Sequence, residues 1–336
     1  MARFRGRAIR AVIGLVVSLA ALAFIVRQVD LNRTADILAR ASLGWVAVML
    51  FLQVVDLLLR ALRWQRLVEP IHHVRFLPIT GYLFIGYLAN NLLPARLGEL
   101  VRCHYLGDRE GISRTTTLGT VVVERVVDTV VVVVLASLAI LVLHVRGLVA
   151  SAVLIGLALT GLLVVALVLG VAAHRLPGSE RLVAYAGRWP RVQDVAGKLR
   201  GGLAVAGRPR TLVEALVLSL TAWTATVFAF AAAGQSLGVE MTTAQAALLA
   251  AGVALASAIP AGPSNLGTFD LAAVAIAATF GLDSETALAL ALIAHASILI
   301  TTSVGGAVAL IALGWRGGRS GRTPGDGVSR QVVEAA

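Results

Sequence analysis

A chain of 336 residues that is 58% hydrophobic, 14% charged and formally +11 carries too few charges to coat a water-facing surface, because an ordinary globular domain is about a quarter charged. This composition excludes a soluble domain as the body of the protein, and the chain is expected not to be an enzyme. Its basic residues fall between apolar segments rather than in a stripe interleaved with aromatics, which points away from nucleic acid and toward cytoplasmic loops of a membrane protein.

Apolar runs at residues 9–26, 43–59, 148–173, 212–233 and 287–313 each approach or exceed the roughly 17–25 residues that cross a bilayer. At that depth every backbone group must bond within its own segment, so the runs are read as helices. Many are rich in Val and Ala without period-2 alternation, which disfavours a β-barrel. The fold class is therefore all-α, a polytopic transmembrane helical bundle.

At the start, Arg3, Arg5, Arg7 and Arg10 precede the first run, and Ala21-Leu22-Ala23 mimics a cleavage site. The run continues through Phe24, Ile25 and Val26, so an uncleaved first span with a cytoplasmic N-terminus is expected. After the second run, Arg60, Arg63, Arg66 and Arg75 mark a cytoplasmic loop, with Asp56 and Arg60 as an i,i+4 pair near the inner face. The stretch 96–114 is again basic, so residues 76–106 should enter and leave by one face as a re-entrant hairpin. Its break, at Pro94, carries Asn90, Asn91, Arg96, Gly98, Glu99 and Arg102.

The next long helix holds Glu124, Arg125 and Asp128. Glu124 and Asp128 share a face, and Arg125 and Asp128 can pair. A charge at mid-helix costs roughly 2.5–3.5 kcal/mol on insertion scales, so all three must meet partners inside the bundle. Two readings stay open: a structural ion-pair knot in which Arg96 or Arg102 neutralises a glutamate, or a polar path for a lipid headgroup or a coupling proton. The following run, 130–134, reads as lipid-facing or packed helix.

Residues 174–210 form the most basic loop, read as cytoplasmic and as amphipathic surface helix. The run 212–233 presents Trp223 and Phe228, read as lipid contact. Stretches 234–243 and 281–286 contain no Lys or Arg and should lie outside. Residues 244–280 must then form a second re-entrant hairpin, broken at Pro260-Ala261-Gly262-Pro263. That break carries Pro260, Pro263, Ser264, Asn265, Gly267 and Asp270. His295 in the last span reads as a hydrogen-bonded core histidine. The Gly- and Arg-rich residues 316–336 read as a disordered cytoplasmic tail.

The count of elements, two spans, a hairpin and a span, then the same series begun from the other face, is that of an inverted-topology repeat. The membrane domain is expected over 1–315, with repeats at about 1–146 and 147–315. A faint echo accompanies it: Pro94-Ala95 followed by Leu97-Gly98, against Pro260-Ala261 followed by Leu266-Gly267.

The motifs together resemble the lysylphosphatidylglycerol synthase transmembrane-region family of flippase-like membrane proteins. The likeness rests on the run from Asn90 to Arg102, on Glu124-Arg125-Val126-Val127-Asp128, on the run from Pro263 to Asp270, and on Arg63-Trp64; it covers nearly the whole chain up to Trp315. The chain departs from the family pattern in Asp270, where glutamate often stands, and in Ser264 and Asn265, where paired glycines often stand. The resemblance implies movement of a charged-headgroup or lipid-linked substrate between leaflets, such as an aminoacylated phosphatidylglycerol or a polyprenyl-phosphate sugar. Aminoacyl transfer, the task of a separate cytoplasmic domain in the lysyl-lipid synthases, is not carried over.

In that reading Arg96, Arg102 and Arg125 hold a phosphate, while Glu99, Glu124 and Asp128 hold a cationic headgroup or a proton. The alternatives are an intramembrane lipid-modifying transferase, with Glu99 or Asp128 as general base, and a non-catalytic membrane partner of a separately encoded enzyme. No cofactor, metal or nucleic acid is expected, and the sole cysteine, Cys103, allows no internal disulfide. The expected location is a prokaryotic plasma membrane with both termini cytoplasmic.

Overall fold

The computed structural model describes residues 16, 18–93, 97–172, 190–257 and 262–317. Among them are twelve helices and no strand. In chain order the helices are α1 (Ser18–Gln28), α2 (Leu31–Ala39), α3 (Leu43–Val68), α4 (Phe76–Leu92), α5 (Gly98–Glu110), α6 (Arg114–Leu143), α7 (Leu148–Ala172), α8 (Pro190–Leu203), α9 (Pro209–Ser236), α10 (Thr243–Ala256), α11 (Thr268–Ala278) and α12 (Ser284–Gly317). Five of these, α3, α6, α7, α9 and α12, are long and apolar enough to cross a membrane. The chain is a multi-pass helical membrane protein.

The helix boundaries follow local chemistry. Asp30 caps α2 by accepting from the amides of Asn32 and Arg33, and Thr242 and Gln245 close a reciprocal capping box on α10. Pro209 stands at the start of α9, where its missing N–H costs nothing.

Because lipid tails are as apolar as leucine, helices in a membrane associate through close packing at small residues. Here α4 lies against Gly305 and Gly306 of α12; a Cβ on either glycine would fall 2.2 or 2.4 Å from Phe84 or Leu88. The alanine-rich α10 is buried between α6, α9 and α11. In contrast α7 exposes Leu148, Leu154, Ile155 and Leu162, a surface that only a lipid-facing helix can carry without cost.

Two expectations change here. Arg60 and Arg63 are not loop residues: α3 runs unbroken to Val68, and both side chains turn into the protein. Trp223 is not a lipid contact but is buried in the interior, while Phe228 is exposed as read. The basic middle loop contains a helix, as read: α8 docks so closely on α6 that a Cβ on Gly202 would lie 2.1 Å from the Thr116 carbonyl oxygen. Arg3, Arg5, Arg7 and Arg10 and the tail beyond Gly317 lie outside the described residues, whereas Ala21-Leu22-Ala23 stands within α1.

Candidate headgroup cavity

Three helices bring charge to one place by spacing alone. On α3, Asp56, Arg60 and Arg63 stand at i, i+4 and i+7, one stripe of a helix. On α9, Ser219, Trp223 and Thr226 form a similar stripe facing it. Between them α6 presents Glu124, Arg125 and Asp128, and α5 adds Arg102.

Arg63, 0% exposed, is the hub. Its Nη1 donates to Asp128 Oδ1 and, at 2.6 Å, to the Ser219 hydroxyl. Its Nη2 donates to Glu124 Oε1 and Asp128 Oδ2, both at 3.1 Å. Glu124, also 0% exposed, accepts in addition from Arg102 Nη1 at 3.0 Å and from Arg125 Nη2. Arg60 clasps Asp56 with Nε at 2.8 and 2.9 Å and reaches Asp128 with Nη1 at 3.1 Å. The Trp223 indole N–H completes Asp128 at 2.9 Å, and the Thr226 hydroxyl completes Asp56 at 3.1 Å. Arg60 also lies over the Trp223 ring and Arg102 over the Trp64 ring, at 4.8 and 4.7 Å from the centroids.

A buried ion survives only when its partners are close and its remaining sites are bonded. The carboxylates meet that condition and the guanidinium groups do not. Arg102 Nε and Nη2, Arg63 Nε and Arg125 Nε are buried without a hydrogen-bond partner among the described residues. Four guanidinium groups face three carboxylates in this network. Glu99, a fourth acid, makes no hydrogen bond or ion pair among the described residues.

The network opens on a cavity of about 630 Å³. Asp56, Arg60, Arg102, Arg125 and Asp128 line it, whereas Arg63 and Glu124 stand behind its wall. Both open readings of the charged triad thus have a physical counterpart: an ion-pair knot at the back and a polar face in front.

The two chain breaks meet at the same cavity. At the first, α4 ends at Leu92 and α5 starts at Gly98; the Asn90 side-chain oxygen accepts from the Gly98 amide at 2.7 Å. At the second, a short turn over Pro263–Asn265 leads into α11. Ser264, Asn265 and Gly267 adopt φ of 59°, 56° and 83°, the left-handed region that glycine enters freely and other residues rarely do. Ser264 and Asn265 hold this backbone without the conformational freedom of glycine.

The Ser264 hydroxyl donates to the Asn91 carbonyl at 2.9 Å, and Asn91 Nδ2 donates to Thr302 and Ser303 of α12. Asp270 accepts from the Gly267 amide at 3.0 Å, capping α11, and meets His295 on its other oxygen. From outside, Ser18 of α1 accepts from the Gly262 amide at 2.9 Å.

Of the residues singled out by sequence, Asn90, Asn91, Gly98, Glu99, Arg102, Arg125, Asp128, Ser264 and Asn265 line the cavity. Glu124, Pro263, Gly267 and Asp270 do not line it, although Glu124 bonds Arg102 and Arg125 and Asp270 bonds His295. Pro94, Arg96 and Pro260 lie outside the described residues. The sequence reading missed Asp56, Arg60 and Trp223 as cavity residues and Arg63 as the hub. The 56-60-63 spacing on a continuous helical stripe was the available signal; it was overridden by counting the arginines as loop charges. His295 is bonded, as read, and also lines the cavity.

A family model described as the lysylphosphatidylglycerol synthase TM region matches residues 11–306. A protein of Haloferax volcanii named glycosyltransferase AglD is 27% identical over 342 aligned residues, covering 91% of this chain and 55% of that protein. A UPF0104 membrane protein of Methanocaldococcus jannaschii is 27% identical over 120 residues, covering 35% of this chain and 36% of that one. The chain therefore spans about half, or less, of the relatives it matches. The first relative corrects the expectation that the chain is not an enzyme. A protein named as a glycosyltransferase aligns with nearly all of it, and a low charge content is no argument against catalysis inside a membrane.

Proposed function

We propose, from the premise that the chain belongs to the lysylphosphatidylglycerol synthase transmembrane-region family, that its cavity takes in the phosphate-bearing headgroup of a membrane lipid and passes it between leaflets. The observation that carries this reading is Arg102, which is 3% exposed and lines the cavity with Nε and Nη2 unbonded. Unmatched guanidinium donors in a low-dielectric wall form a site for a planar or tetrahedral oxyanion, which a phosphate fills with paired hydrogen bonds. Arg125, at 37% side-chain exposure, reaches the same anion from the rim. Glu99, which lines the cavity, is the acid placed to take an amine or a proton on the same headgroup, because the Asp128 oxygens are already filled by Arg60, Arg63 and Trp223. The substrate classes that fit are a polyprenyl-phosphate lipid and an aminoacylated phospholipid.

This reading includes a membrane arrangement: both interrupted segments, α4–α5 and α10–α11, are re-entrant, the halves 1–146 and 147–315 are inverted repeats, and both termini are cytoplasmic in a prokaryotic plasma membrane. A second reading has its own support in the relative named as a glycosyltransferase: the cavity presents a lipid phosphate to glycosyl transfer, by this chain or by a partner enzyme.

The test is mass spectrometry of lipids that co-purify with wild-type, Arg102→Gln and Arg125→Gln proteins, with translocation measured in proteoliposomes of each. One phosphate-bearing lipid enriched in wild type, depleted in both variants and no longer translocated supports the proposal. The same bulk lipids and equal translocation in all three overturn it. Turnover of a lipid-phosphate sugar donor by the purified wild type favours the second reading.

A further inference from the structure

His295, which also lines the cavity, is held at both ring nitrogens. Its Nε2 lies 3.0 Å from the Ser264 backbone carbonyl oxygen, and its Nδ1 lies 3.1 Å from Asp270 Oδ1. A carbonyl oxygen only accepts, so Nε2 must carry a hydrogen. A hydrogen must also lie between Nδ1 and the carboxyl, placed on the ring or on Oδ1. Asp270 Oδ2 is already occupied as acceptor of the Gly267 amide. A neutral ring beside an ionised Asp270 cannot satisfy both contacts: with its hydrogen on Nδ1, two lone pairs meet at Ser264, and with it on Nε2, they meet at Asp270.

We propose that Asp270 and His295 form a proton-binding site of the cavity, and that the bound proton latches the second chain break onto the first. Loaded with one proton, the pair satisfies every contact and has no net charge, the form that a buried site accommodates at least cost. Unloaded, it is a single buried anion and must give up one contact. The Phe269 ring, stacked 4.1 Å from the His295 ring at 23°, keeps the imidazole from turning away. His295 lines the cavity, which is the route for exchange.

Ser264 transmits the change, because its carbonyl holds His295 while its hydroxyl holds the Asn91 carbonyl across the two breaks. Its left-handed backbone depends on these contacts to persist. Losing the His295 bond frees the turn, and with it the Ser264–Asn91 contact.

Other charges near the site are accounted for. Among the described residues, α10 carries none and α4 carries only the phenols of Tyr82 and Tyr87, of which Tyr87 lines the cavity, and Asp270 is the only acidic or basic group bonded to His295. Asp56 and Arg60 on α3, Glu99 and Arg102 on α5, and Arg125 and Asp128 on α6 face the same cavity. Arg33 on α2 is engaged with Asp283 and Glu285 at the start of α12, and Arg210 and Glu214 of α9 pair with each other near its start. The inference is independent of which lipid, if any, enters the cavity.

The experiment is nitrogen-15 histidine NMR on the full chain in lipid nanodiscs, with the His295 signals assigned by their loss in His295→Gln. Infrared spectra of wild type and Asp270→Asn accompany it. The result expected from the two contacts is a ring protonated on both nitrogens, or one protonated on Nε2 together with a carboxylic-acid carbonyl band that Asp270→Asn removes. A ring protonated on Nδ1 alone, or on Nε2 alone without that band, overturns the proton site.

The latch is read separately. A Ser257→Cys side chain, at a position 7% exposed beside the second break, is labelled across the pH range, with its rate normalised to Ser284→Cys, both in a Cys103→Ala background. Losing one such hydrogen bond shifts an opening equilibrium roughly tenfold, so labelling at Ser257→Cys should rise by that factor where the His295 pair loses its proton. A rate that stays level through that transition overturns the latch.

Discussion

Arg63 and Arg125 are both intramembrane arginines that touch Glu124, yet burial separates their consequences. Arg63 is sealed behind the cavity wall with Asp128, Glu124 and Ser219 around it. Removing one partner of a buried ion pair leaves the other charged and desolvated, at about 3–5 kcal/mol. Arg63→Met should therefore lower thermal stability in detergent by that amount. Arg125→Met, at a position with 37% side-chain exposure, should cost no more than about 1 kcal/mol, the range of exposed pairs. Equal losses at the two sites would mean that wall and rim do not differ in solvation. The existence of the charged triad on α6 was legible in sequence, because three charges in one turn of an apolar helix demand partners. The identity of the main partner was not: Arg63 lies 61 residues from Glu124 along the chain, and nothing local to either residue announces the other.

At the scale of elements, the breaks were legible and their contacts were not. Proline removes a backbone donor, and the helices end ahead of the prolines singled out by sequence: α4 at Leu92 before Pro94, and α10 at Ala256 before Pro260. What the break is built around is a glycine pair. A Cβ on Gly98 would lie 1.9 Å from the Gly86 carbonyl oxygen and 2.6 Å from Asn90 Oδ1. Gly98→Ala should force α4 and α5 apart and lose about 1–3 kcal/mol, the cost of overpacking. Gly161 on α7 is the control, because a Cβ there meets nothing within 4 Å; Gly161→Ala should leave stability within about 0.5 kcal/mol. Matched thermal melts of the two variants compare them directly. If Gly98→Ala melts with Gly161→Ala, the close approach of α4 and α5 does not support the fold.

For the whole molecule, topology is the property that charge parity addresses. The loops on either side of α10–α11 lack Lys and Arg, which places both on the outer face if the segment is re-entrant. Glu240 and Ser284 are exposed at those loops, whereas Cys103 is buried and can be replaced by alanine as background. Glu240→Cys and Ser284→Cys, tested singly with a membrane-impermeant thiol reagent on intact cells, should both label from outside. Labelling from opposite faces would remove the second hairpin and the inverted repeat with it.

By itself the sequence determined that this chain is a multi-pass helical membrane protein, since hydropathy is summed over a segment and no distant residue can restore the missing surface charge. It determined which short stretches break the helices and which residue types are costly enough in lipid to need partners. Only the tertiary structure decided which partners they have. Helix α3 carries Arg60 and Arg63 inward because α9 offers Ser219, Trp223 and Thr226 at matching height, and α6 offers Asp128 between them. Counting charge along the chain assigns the same arginines to water. The difference lies in the compensation of charge, a property of pairs brought together across the fold.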